Sequence, residues 1–167
     1  MDVANLIIIY ANQIPTRTGS LTPIKLQKIL YYVYLECLKG GVKLFETPIE
    51  KWKFGPVVSP VYHNFKAYGV RHINEPSSSY VFDENEEGFH FEEIPFSPES
   101  IQFDPEIKTI IREKVEELID VDPFELVERT HREKPWKDYE QNILNGERGL
   151  IYSDIELMDW LTSKEEN

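Results

Sequence analysis

Four histidines and one cysteine are the residues of this chain best able to serve as nucleophile, proton carrier or metal ligand. His63, His72, His90 and His131 show none of the short spacings, HxH or HxxxH, that bring two imidazoles to one ion. His63 falls among Tyr62, Phe65 and Tyr68 in a helical pattern, where a hydrogen-bonded structural role is expected. His90 alternates outward on an expected hairpin, and His131 is placed to close a helix or meet a partner. Cys37 lies on an apolar helical stripe, where a thiol behaves as a small hydrophobe. Glycine-rich phosphate cradles are missing, and adjacent carboxylates such as Glu116 and Glu117 diverge around a helix. No catalytic residue, cofactor or metal is therefore expected. The alternative is an enzyme assembled in three dimensions from His63, His131 and carboxylates.

Recognition is the other chemistry on offer, and its densest signal runs from Trp52 to Tyr62. Trp52 and Phe54 leave a short strand on one side, Gly55-Pro56 forces a turn, and Ser59-Pro60 restarts a helix. Such a connector packs aromatics onto a neighbour or presents them to a partner, since rigid aromatic side chains make good interface anchors. The expected partner-binding residues are the exposed members of Lys25, Lys28, Trp52, Phe54, Tyr62, His131 and Trp136. Gly55, Pro56, Tyr31 and Tyr32 are read as structural.

The elements that position these residues are mostly helical. A capping residue followed by proline recurs at Thr22-Pro23, Ser59-Pro60, Asp104-Pro105 and Asp122-Pro123, and Ser153 to Glu156 has a capping-box pattern. Ile107, Ile110, Ile111, Val115, Leu118 and Ile119 form one amphipathic stripe. The segment after Thr22 is apolar almost all round, through Leu26, Ile29, Leu30, Tyr31, Tyr32, Val33 and Tyr34. It is expected at the centre of the domain, ending at Gly40-Gly41 after a first helix over residues 2–14. Strands are expected over Ile49–Phe54 and in a hairpin of Tyr80–Asp83 with Phe89–Ile94. The fold class is mainly α with a small antiparallel β element (α+β), a compact helical domain around a central Tyr-rich helix. One domain is expected over residues 1–167, with an acidic, loop-rich insert at about 75–103 and a frayed tail at 163–167.

Charge is unevenly distributed. The formal net charge of −12 divides into nine Lys/Arg against four Asp/Glu in residues 1–74 and nine against twenty-six in residues 75–167. Nucleic-acid binding is disfavoured, because affinity for a polyanion comes mainly from phosphate neutralisation. A basic protein would suit the acidic surface. One cysteine forbids an intramolecular disulfide, and the apolar run Leu6–Ala11 is too short to span a bilayer. With no secretory signal pattern at the amino terminus, a cytoplasmic protein without membrane contact is expected.

Leu21-Thr22-Pro23-Ile24-Lys25-Leu26-Gln27-Lys28-Ile29-Leu30-Tyr31-Tyr32, Phe45, Ile49–Val58, Val61-Tyr62 and Phe65-Lys66 together resemble the Panacea domain. The family pattern is a Leu-x-Lys-Leu-x-Lys-Leu-Leu-Tyr-like helix, an aromatic strand and a Gly-Pro-Val turn. Isoleucine stands here at 24 and 29, and a late His-x-x-x-x-Trp element is matched by His131 and Trp136. The close match spans residues 21–69. This resemblance, to phage-associated GepA-type proteins and SocA-like antitoxins, implies a mostly helical domain that neutralises a co-encoded protein toxin by direct binding. One branch of the family instead delivers its toxin to a protease, which remains the alternative. The family supplies no catalytic residues to carry over.

Overall fold

A computed structural model describes residues 1–85 and 88–165, with backbone alone for 83–85, 88–90, 100 and 165. The helices follow from the capping chemistry. Helix α1 (Asp2–Gln13) leads to α2 (Pro23–Lys39), where the Thr22 hydroxyl accepts from the Lys25 amide at 3.3 Å. Asp104 accepts from the Glu106 amide at the start of α4 (Pro105–Leu118). Asp122 accepts from the amides of Phe124 and Glu125 at the start of α5 (Pro123–Arg132). Ser153 caps α8 (Asp154–Glu165) through the Glu156 amide. Ser59 departs from the expectation: α3 (Ser59–Phe65) begins on it, and its cap is Val58, without a side-chain acceptor. Two short helices, α6 (Lys134–Lys137) and α7 (Glu140–Leu144), complete the α-helices among the described residues.

Helix α2 is the axis of the molecule, packing against α1, α3, α4, α5, α8 and one strand. Its buried face includes Leu26, Ile29, Leu30, Tyr31, Val33, Tyr34 and Cys37, and it meets Ile111, Val115 and Leu118 of α4 in one continuous core. Gly40 closes the helix and Gly41 takes a positive φ of 77°. The fold is thus mainly α with small antiparallel sheets. None of the described helices is long and apolar enough to cross a membrane.

The strand over Ile49–Phe54 is shorter than expected. β1 (Ile49–Trp52) turns at Lys53-Phe54 into β2 (Gly55–Val57), with Trp52 opposite Gly55. The Gly-Pro pair therefore opens a strand rather than making the turn. β2 is an edge, in the order β2-β1-β5, where proline's missing N–H leaves no ladder bond unmade. β5 (Ile151–Tyr152) pairs antiparallel with β1.

A second sheet pairs β3 (Ser79–Asn85) with β4 (Gly88–Ile94), seven residues each, so the insert at 75–103 carries a hairpin longer than its loop-like composition implies. Glu86 and Glu87, expected in a loop, and the His90 side chain lie outside the described residues. At the carboxyl end, α8 continues helical to Glu165, past the polar boundary expected to fray, and residues 166–167 lie outside the described residues.

The Asp122 cap orients the helix that carries Thr130 and His131. Asp122→Ala should lower unfolding stability by roughly 0.5–2 kcal/mol, while Asp122→Asn should cost much less. Urea denaturation of the two variants checks this, and equal losses would remove the cap as the cause.

Candidate functional site

The turn between β1 and β2 is held by its main chain from beneath. Lys28 Nζ, on α2, donates to the Pro56 carbonyl at 3.1 Å. Trp136 Nε1, on α6, donates to the Trp52 carbonyl at 3.0 Å. His131, at the end of α5, stacks on the Trp136 ring with centroids 3.7 Å apart. Gln27 brackets Val58, its Oε1 accepting from the Val58 amide at 2.8 Å and its Nε2 donating to the Val58 carbonyl at 3.4 Å.

Gly55 fits because φ is 87° and because a Cβ there would meet Thr130 Oγ1 and Lys28 Nζ. The backbone of residues 52–58 is thus held by hydrogen bonds from α2 and α6 and hemmed in by Thr130 of α5.

That clamp corrects several expectations. Lys25, Lys28 and Trp136 are buried and lie beneath the surface, not on it. Lys25 Nζ donates to the Ile119 carbonyl at 2.5 Å, at the carboxyl end of α4, so it is a second internal tie. A cation is tolerated there because a carbonyl dipole faces it and Asp120 and Asp122 lie close, although burial still lowers its pKa. His131 is half-buried, with its Nε2 atom enclosed and without a hydrogen-bond partner. Tyr31 and Tyr32 both donate to the Glu133 carboxylate, at 2.8 and 3.1 Å.

The residues turned outward are fewer. Trp52 is half-buried, packs edge-on against Tyr62 at 5.0 Å, and donates from Nε1 to Glu50. Phe54, at the tip, is 49% exposed and meets the exposed Phe124 edge-on at 6.5 Å. Beside Trp52 a cleft of about 490 Å³ is lined by Glu50, Lys53, His63, Glu147 and Arg148. His63 is exposed at its mouth, near Lys66, rather than held in the interior. Pattern reading missed Phe124, whose only local signal is an apolar residue just inside a capped helix.

It also missed Lys51 and Glu133. The buried Lys51 ammonium is gripped by both oxygens of Glu156 at 2.7 and 2.8 Å and lies 3.5 Å from the Tyr139 ring centroid. It ties β1 to α8. Burial, with Glu133 opposing, lowers the Lys28 pKa to about 7. Burial, opposed by the two tyrosine hydroxyls, raises that of Glu133 to about 7. Cys37 is buried, and its thiol is pushed up to about 11 by burial and Glu36, so it carries little thiolate at neutral pH. The side chains turned to solvent are aromatic, with both cations and carboxylates at the rim of the cleft.

The family model described as antitoxin SocA-like, Panacea domain, matches residues 26–137. The chain belongs to that family. No curated protein and no solved structure gives a significant match.

The native Glu133 carboxyl keeps its proton at pH values where an unfolded glutamate has lost it. Wild-type stability should therefore fall relative to Glu133→Gln as pH rises from about 4.5 towards about 7. Denaturation of both proteins at about pH 5 and about pH 7 measures this. A stability difference that does not change with pH would mean that Glu133 is ionised throughout.

Proposed function

We propose that this chain is the antitoxin of a toxin–antitoxin pair and neutralises a protein toxin encoded beside it by direct complex formation in the cytoplasm. The observation that carries the reading is the clamped turn. Buried side chains from two helices, α2 and α6, hold the backbone of residues 52–58 while Trp52, Lys53 and Phe54 face outward with Phe124. Aromatic anchors on a preorganised backbone lose little conformational freedom on binding, which is where interface energy concentrates. Membership of an antitoxin-like family supports the same reading. Lys28, Glu133 and His131 are built into the scaffold, which favours binding over catalysis as the role of this chain.

Co-expression with the adjacent open reading frame tests this. Wild type should relieve that protein's toxicity, while Phe54→Ala combined with Phe124→Ala should weaken relief by about tenfold or more in dose without lowering stability. Persistent toxicity beside wild type would remove the reading. A shortened toxin half-life in the presence of wild type would replace occlusion by delivery to a protease.

A further inference from the structure

We propose that the β3–β4 hairpin is a second docking arm, and that its aromatic face is covered by a cationic surface of the same toxin. This rests on the neutralisation reading above and adds where the partner sits and what chemistry it presents.

The hairpin alternates side chains across its two faces. Tyr80, Phe82, Phe91 and Glu93 share one face, with Phe82 opposite Phe91 and Tyr80 opposite Glu93. The Phe82 and Phe91 rings lie 5.1 Å apart. Tyr80 is 69% exposed, Phe82 53% and Phe91 75%. Val81, opposite Glu92, and Ile94 add exposed apolar surface on the reverse face. The two strands pack chiefly on each other. Within the described residues both outer edges of this two-stranded sheet are unpaired. A bare two-stranded sheet is marginal in water, and unpaired edges beside apolar side chains invite pairing with another chain.

The arm is rooted rather than loose. The buried Asn5 side chain of α1 donates to the Ser77 carbonyl at 3.0 Å and accepts from the Ser77 amide at 2.8 Å, as a neighbouring strand would. Asn12 donates to the Asn74 carbonyl at 2.7 Å, and the Ile73 amide donates to the Leu21 carbonyl at 2.9 Å. On the other leg Phe96, Ile101 and Phe103 pack against the core. A buried asparagine engaged in holding one end of a hairpin is a positioning device, because its amide group satisfies both backbone groups of a single residue.

Charge selects the occupant. Residues 75–103 hold eight acidic residues and no basic one. A second copy pairing hairpin against hairpin would set these acidic residues against one another. A basic protein would be steered towards them and would screen the glutamates flanking the aromatic face as it covers the rings.

The test measures binding of the adjacent open reading frame's product to the full chain by calorimetry. The proteins compared are wild type, Tyr80→Ser/Phe82→Ser/Phe91→Ser, and Glu92→Lys/Glu93→Lys. The exposed positions allow all three proteins to fold, which circular dichroism verifies. The aromatic variant should lose about tenfold or more in affinity. The charge variant should associate more slowly, and wild-type affinity should fall as salt rises from about 50 mM to about 500 mM. Affinities of the aromatic variant within about twofold of wild type would overturn the docking arm while leaving neutralisation standing. Failure of wild type to bind the product would end both. A wild-type dimer in sedimentation that the aromatic variant abolishes would assign the face to a second copy and overturn the proposal.

Discussion

The rest of the structure depends on a buried ammonium placed against a carbonyl at the edge of a turn. Lys28 Nζ reaches from the central helix to the Pro56 carbonyl, and its position limits what can stand around it. Residue 55 must lack a Cβ, since one would meet that same ammonium and the Thr130 hydroxyl. The price of burying a cation is several kcal/mol unless it is hydrogen-bonded and compensated, so the neighbouring Glu133 and its two tyrosine donors belong to the same device. Helices α2 and α6 are thereby tied to one small hairpin, and Thr130 of α5 crowds its Gly55.

One helical turn earlier, Lys25 repeats the arrangement on a different neighbour. Its ammonium donates to the Ile119 carbonyl, and Gly19 stands where a side chain would collide with the Ile119 carbonyl and crowd that ammonium. The two lysines of the Lys-x-x-Lys pattern are thus staples from one helix, one to the end of α4 and one to the turn. Lys51 is a third buried cation, but it is satisfied by a carboxylate and an aromatic face instead of a carbonyl. Three cations inside an acidic protein are possible because each meets a specific acceptor.

Local chemistry was legible in the sequence, and long-range acceptance was not. Caps at Thr22, Asp104, Asp122 and Ser153 are decided within a few residues, and each is found where its pattern places it. The burial of α2 followed from its apolar circumference. Lys25 and Lys28 were misplaced because the carbonyls that accept from them lie 94 and 28 residues away in sequence. The turn was misplaced by two residues because Gly-Pro reads as a corner, whereas Gly55 here uses its positive φ to open an edge strand. β5 is too short to carry a pattern, and its pairing with β1 exists only in three dimensions. The Trp136 ring looked like an anchor for a partner, and its indole N–H is spent on the Trp52 carbonyl.

The clamp on residues 52–58 grips main chain and leaves the side chains of Lys53 and Phe54 ungripped. Framework and specificity are therefore carried by different atoms of the same residues. Exchanging the outward groups at 53, 54 and 124 changes what the surface recognises without disturbing the bonds that shape it. A loop built this way behaves like a socket with replaceable pins: its outward chemistry can change by a handful of substitutions while its framework stays.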